Sequence, residues 1–277
     1  MESQSEKPQN PNPNSEVCAL VDLGGTLTSP NNFFLLERFV QDVEMGIGDR
    51  RRILLDRFAE WRKLRNIIEN SEPERQLPDP GMLYAKMVTG MKQGELREKA
   101  ERWVNETGSK SIMPYSRELV DLIKQNDFRP VLVSSAPPDL VDPFAKLLAI
   151  PEFHSLQLEK DHDGKYTGEV EGGAPMSLAK NGICRNLSGR NVKFAIGNSS
   201  KDSRMFSLAI DKKNPLDPQG GAVLINPSPK TEDEAKAWMS QYLESGQLLI
   251  IPQNTSQNEV IRQIRHVLED IVEVLTR

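Results

Sequence analysis

An aspartate, Asp22, stands at the end of the apolar run Val17-Cys18-Ala19-Leu20-Val21 and is followed by Leu23-Gly24-Gly25-Thr26-Leu27-Thr28. A carboxylate so placed can attack as a nucleophile and carry a transferred group, or offer hard oxygen to Mg²⁺. Two more polar residues stand in the same relation to apolar runs. Ser134 follows Pro130-Val131-Leu132-Val133, and Asn198 follows Val192-Lys193-Phe194-Ala195-Ile196-Gly197, with Asp202 shortly after. Each alone has a plainer reading. Asp-x-Gly-Gly-Thr is also a tight turn, a serine after a strand is often a helix N-cap, and Gly-Asn-Ser is a common loop. What joins them is their shared position at the ends of runs that read as strands.

The elements that must hold them follow from the pattern. The runs ending at residues 21, 133 and 196, with Ala222-Val223-Leu224-Ile225 and Leu248-Leu249-Ile250-Ile251, are short and apolar, as buried strands are. From Phe33 to Trp103 the pattern is helical, broken at Pro78-Asp79-Pro80-Gly81. Tyr115-Ser116 opens a helix with Ser116 as its N-cap and Leu119, Val120, Leu122 and Ile123 as its apolar face. Another helix runs on to Leu148, and residues 153–171 read as a hairpin turning at Asp163-Gly164. In the closing helix, Val260, Ile264, Val267, Ile271 and Val274 form a stripe that either packs on the sheet or makes a dimer contact. Strands alternating with helices predict a parallel sheet covered on both faces. Ligands of such sheets sit beyond the carboxyl ends of the strands, where Asp22, Ser134 and Asn198 all fall.

Taken together the segments resemble the motifs of the haloacid dehalogenase superfamily, in its phosphoserine phosphatase-like branch. Val21 to Thr28 is similar to the first motif, usually Asp-x-Asp-Gly-Thr-Leu/Val-Thr, with Asp22 kept and Gly24 in place of the second Asp. Val131 to Val141 is similar to the second motif, and Gly197-Asn198-Ser199-Ser200-Lys201-Asp202 to the fourth, with Asn198 for Asp. Asp161 to Gly168 resembles the hairpin of this branch, and Asn226-Pro227 its late turn. The resemblance covers residues 17 to about 252. It implies a Rossmann-like parallel sheet flanked by helices with an inserted α-helical cap. The core would comprise 16–30 and 112–255, the cap 31–111, a disordered tail 1–15, and an appended amphipathic helix 256–277.

The resemblance also implies roles. Asp22 would be the nucleophile, Ser134 a phosphoryl hydrogen-bond donor, and Lys180 the third-motif lysine, with Met176 the alternative at that position. Gly25, Thr26 and Ser135 would touch substrate. Mg²⁺ would be held by Asp22, the Gly24 carbonyl, Asn198 and Asp202, more weakly than usual because Asn198 is neutral. The general acid/base is missing at Gly24. Two readings stay open: a weak or specialised phosphomonoesterase, and a non-catalytic protein that binds a phosphorylated small molecule or a protein partner. Dehalogenases and phosphonate-cleaving members also lack the second Asp, but their surrounding sequence differs. Arg50, Arg51, Arg52, Arg57, Arg62, Lys63 and Arg65 either draw an anionic substrate to the cap or form a solvated helix face. Phe33, Phe34 and Trp61 would be cap core.

Composition narrows the partners. A formal net charge of −5 favours neither nucleic acid nor an anionic membrane. No apolar run approaches a membrane span, and the Met-Glu-Ser-Gln-Ser-Glu-Lys start has no signal-peptide core. The only cysteines are Cys18 and Cys184, which suggests reduced thiols and a cytoplasmic location. His154, His162 and His266 make no zinc signature. A homodimer through the last helix remains an option.

Overall fold

Five consecutive buried residues, Cys18–Asp22, form the central strand β1. In a computed structural model, which describes residues 16–29, 32–43, 52, 55–56, 59, 79–173, 176–210 and 220–276, this strand is flanked on both sides by parallel neighbours. β2 (Arg129–Val133) and β3 (Glu152–His154) lie to one side, and β6 (Val192–Gly197), β7 (Gly221–Ile225) and β8 (Leu248–Ile251) to the other. The six-stranded sheet has the order β3-β2-β1-β6-β7-β8, and every pairing in it is parallel. The chain therefore reverses its direction of travel across the sheet between β1 and β6. Open parallel sheets bind ligands in the crevice beyond such a reversal.

Side-chain alternation along the strands sorts the core into two layers. Ala19, Val21, Leu132, Phe194, Ile196 and Val223 face one layer, and Cys18, Leu20, Val131, Val133, Ala195 and Leu224 the other. The first layer receives α4 (Ser116–Gln125), α5 (Pro138–Leu147) and α10 (Gln257–Thr276), and its apolar cluster continues into α1 (Asn32–Asp42), α2 (Pro80–Met87) and α3 (Gln93–Glu106). The second holds Cys184 of α6 (Met176–Asn186), Met205 and Phe206 of α7 (Ser203–Ala209), Ala235 of α8 (Pro229–Trp238) and Tyr242 of α9 (Ser240–Glu244). In the stripe of α10, Val267 and Val274 stay half-buried. Val260, Ile264, Leu268 and Ile271 are buried, and the helix lies against α4 and β7.

Two local expectations are corrected. The hairpin is shorter than 153–171: β4 (Leu158–Lys160) pairs antiparallel with β5 (Tyr166–Val170), whereas Phe153 belongs to β3 of the main sheet. Backbone pairing with β2 claims that segment before the hairpin begins. Ser116 is not an N-cap but the first helical residue of α4, and its hydroxyl donates to the Leu27 carbonyl at 2.7 Å. The break near residue 80 is a helix start, because the Asp79 carboxylate accepts from the Gly81 and Met82 N–H groups ahead of Pro80. The hairpin docks on the α2–α3 connection, with Gly90 N–H donating to the Tyr166 carbonyl at 2.8 Å and Tyr166 N–H to that of Met91 at 3.0 Å. The expected tail 1–15 lies outside the described residues, as do Arg50, Arg51, Arg57, Trp61, Arg62, Lys63, Arg65 and the side chains of Phe33 and Phe34. Arg52 is exposed. Among the described residues no helix is long and apolar enough to cross a membrane.

Candidate active site

Strand parity decides where Asp22 points. It shares the phase of Cys18 and Leu20, which face the layer containing Cys184 of α6. From that helix Lys180 reaches back over the sheet edge. Its Nζ donates to Asp22 Oδ1 at 2.5 Å and also to Asp202 Oδ1. Asp22 and Asp202 are wholly buried and Lys180 is 5% exposed, so the three ions form a dry bridge between the ends of β1 and β6. The side chain of Met176 lies outside the described residues.

The remaining candidates gather around this bridge. Asp22 is the register partner of Val133, so Ser134 begins where β2 ends, beside it. Ser134 is buried, its N–H donates to the His154 carbonyl at 2.9 Å, and its Oγ accepts from Ala136 N–H at 3.1 Å. Ser135 is half-buried next to it. Thr26 donates its hydroxyl to Asp22 Oδ2 at 2.8 Å. Gly24 is buried and Gly25 half-buried in the tight turn, which Gly25 N–H closes onto the Thr28 carbonyl at 2.8 Å. Gly25 has φ +90°, and a Cβ there would fall 2.1 Å from Asn198 Nδ2. Glycine thus serves both a conformation closed to other residues and the close approach of Asn198 to the turn.

Asp202 joins the site through both of its carboxylate oxygens. Its Oδ2 accepts from the N–H groups of Asn198 and Ser199 and from the Ser199 hydroxyl, each at 3.0 Å, while Oδ1 takes Lys180. Both oxygens of Asp202 thus accept hydrogen bonds, and the carboxylate holds the lysine and the 198–199 turn. Gly197 leaves room for this, since a Cβ there would sit 2.6 Å from the Asp202 carboxyl carbon.

Burial pushes the Asp22 carboxyl up to about 6, against the pull of Lys180 and with a smaller push from Asp202. For Lys180 burial opposes the charge, but Asp202 and Asp22 outweigh it and hold the ammonium above its ordinary range. The lysine is therefore a permanent cation and a poor proton donor. Cys184, pushed up to about 11 by burial, is a neutral thiol.

Beside Asp202, the oxygens that the resemblance assigns to Mg²⁺ are those of Asp22, which accept from Lys180 and Thr26, the Gly24 carbonyl and the Asn198 amide. Among the described residues no group of three or more His, Cys, Asp or Glu could hold a metal ion. Mg²⁺ keeps several waters and is commonly held by one or two carboxylates together with substrate phosphate. One carboxylate with two neutral oxygens fits that pattern at its lower limit.

A sequence model of the family described as "HAD: haloacid dehalogenase-like hydrolase" matches residues 19–207, more than half of the chain. The chain belongs to this family. No curated protein sequence matches this haloacid dehalogenase-like hydrolase significantly. Among solved structures it is similar to a protein of unknown function from Bordetella pertussis Tohama I (TM-score 0.62, 17% identity, covering 85% of this chain and 98% of that one). It also resembles cytosolic 5'-nucleotidase IIIB bound to cytidine (TM-score 0.57, 14% identity, 94% and 88% covered). A probable phosphoserine phosphatase from Vibrio cholerae has TM-score 0.54 and 16% identity, with 96% and 68% covered. At these identities the likeness shows the fold, and the haloacid dehalogenase-like α/β architecture is what they share.

A further support joins Tyr115, which sequence reasoning gave no site role, to Asn226 of the late turn. Tyr115 donates its hydroxyl to the Thr26 carbonyl at 2.8 Å and accepts from Asn226 Nδ2 at 3.1 Å, tying the first-motif turn to the ends of α4 and β7. Asn226 has φ +51° and follows a strand, a signal for a strand-end role. Tyr115 carries none, because its partner lies 89 residues away.

Proposed function

We propose that the chain is a slow phosphomonoester hydrolase acting on a phosphorylated small molecule through a phospho-aspartyl intermediate at Asp22. The observation that carries this reading is the buried Lys180 bridge between Asp22 and Asp202 at the point where strand order reverses. It aims a carboxylate at the crevice with a fixed cation beside it, as attack on a charged phosphoryl group requires. In the first step an Asp22 oxygen bonds phosphorus as the bond to the ester oxygen breaks. Lys180 offsets charge on the phosphoryl oxygens, and Ser134, Ser135 and the Gly25–Thr26 turn supply hydrogen bonds to them. Gly24 has no side chain to protonate the leaving oxygen, so that proton comes from water. In the second step water attacks phosphorus and frees Asp22, again with no side chain at position 24 to take its proton. Mg²⁺ bound by Asp22, the Gly24 carbonyl and Asn198 would supply further charge stabilisation. The helices α1, α2 and α3 would belong to a cap that selects the leaving group.

The absence of carboxylates at Gly24 and Asn198 favours a second reading, in which the crevice binds a phosphorylated ligand without turning it over. An assay with a generic aryl phosphate and Mg²⁺ separates the two. The double change Gly24→Asp and Asn198→Asp should raise steady-state turnover by about 10²-fold or more by speeding water attack on the phospho-aspartate, and adding Asp22→Asn should abolish it. Negligible rates in wild type and every variant would leave binding as the account.

A further inference from the structure

Each carboxylate oxygen of the Asp22–Lys180–Asp202 bridge already accepts a hydrogen bond. Asp202 gives one oxygen to Lys180 and the other to three donors of the 198–199 turn. Asp22 itself takes Lys180 on one oxygen and Thr26 on the other. Asp22, Asp202 and Lys180 together carry one net negative charge, with the ammonium in direct contact with the carboxylate a cation would seek. Asn198, whose amide lies against Gly25, supplies an oxygen without charge.

A dication arriving alone meets one shared carboxylate, two neutral oxygens and a fixed ammonium. A phosphate dianion arriving alone meets that ammonium together with an uncompensated carboxylate. Arriving together, each supplies the charge the other lacks. We propose that this chain binds Mg²⁺ appreciably only together with a phosphoryl group, with Asn198 as the residue that removes independent metal binding. The proposal rests on the reading of the crevice as a phosphoryl site. Linkage makes the effect reciprocal: the factor by which Mg²⁺ tightens phosphate is the factor by which phosphate tightens Mg²⁺, and such couplings are typically about 5–150-fold.

Calorimetric titration of the full chain with MgCl₂, with inorganic phosphate, and with each in the presence of the other tests this. The same titrations on folded Asp22→Asn protein subtract the association of the two ions in solution. Wild type should give no saturable heat with MgCl₂ alone and weak binding of phosphate alone, with a several-fold gain for either ion when the other is present. Asn198→Asp should bind MgCl₂ without phosphate. Saturable MgCl₂ binding by wild type without phosphate, or phosphate affinity unchanged by MgCl₂, would overturn the pairing and leave the phosphoryl site standing. No phosphate binding with or without MgCl₂ would overturn both.

Discussion

Replacing Lys180 by Met keeps a long apolar stem and removes the ammonium from between two buried carboxylates. Breaking a buried ion pair by deleting one partner typically costs about 3–5 kcal/mol, because the other charge is left unpaired. Here Asp22 and Asp202 both lose their cation, and both are wholly buried. The sign of the pH dependence follows from Asp22. Its carboxyl rises from 3.8 unfolded to about 6 folded, with burial raising it and Lys180 opposing. A carboxyl raised on folding contributes stability that is present below its unfolded pKa and lost as pH rises through its folded one. In wild type that loss is complete once the pH passes the raised folded value. Without Lys180 the folded pKa climbs further, so the variant goes on losing stability above pH 6 where wild type does not. Urea unfolding followed by circular dichroism should show the midpoint of Lys180→Met lowered at both pH 5 and pH 8 with m unchanged, and lowered more at pH 8. Adding Asp22→Asn to Lys180→Met should cost less than the sum of the two single changes. A deficit below about 1 kcal/mol, or one equal at the two pH values, would refute the buried ionised bridge.

Other perturbations read the surrounding structure. Gly25→Ala forces an L residue to φ +90° and sets its Cβ 2.1 Å from Asn198 Nδ2, so thermal unfolding should register a loss of about 1–3 kcal/mol. Gly94→Ala, in α3 with nothing within 4 Å of the added carbon, should instead gain about 0.4–1 kcal/mol. Tyr166→Phe removes the hydroxyl that donates to both oxygens of buried Asp139, at 2.7 and 2.8 Å. The expected cost is about 1–3 kcal/mol. Burial already pushes Asp139 up to about 6 and loss of this donor pushes it higher, so the deficit measured by urea unfolding should be larger at pH 8 than at pH 5.

The main sheet was legible because β1, β2, β6 and β7 are largely buried and read as apolar runs, as does the half-buried edge strand β8. The exception, Glu152–His154, is short and only half-buried at the sheet edge, so its residues were absorbed into the hairpin that follows. Asp22, Ser134 and Asn198 were legible for the same reason as the strands: each is the first polar residue beyond an apolar run. Lys180 sits on a helix whose pattern gives no cue that its ammonium turns inward. Asp202 was visible as a motif residue, but its work of holding Lys180 and capping the 198–199 turn depends on backbone N–H groups that sequence does not display. Tyr115 was illegible because only the assembled fold brings its hydroxyl to Thr26.

Gly24 determines how rate should depend on the leaving group. A positioned acid matters little when the departing oxygen is a stable phenolate and greatly when it is an alkoxide, since only the alkoxide needs its proton during bond cleavage. With no side chain at position 24, kcat/KM for phosphate esters should fall steeply as the leaving group becomes more basic. Gly24→Asp should flatten that slope, raising alkyl phosphates by about 10²–10⁴-fold and nitrophenyl phosphate far less. The same missing group slows water attack on the phospho-aspartate. Wild type should therefore release a burst of nitrophenolate equal to the enzyme present, followed by a slow steady state, and Gly24→Asp should erase the burst by accelerating the second step. An equal gain for aryl and alkyl esters would mean that the carboxylate at 24 acts through the metal or the fold and not as a proton donor. A wild-type progress curve without a burst, at measurable turnover, would place the slow step before Asp22 is phosphorylated.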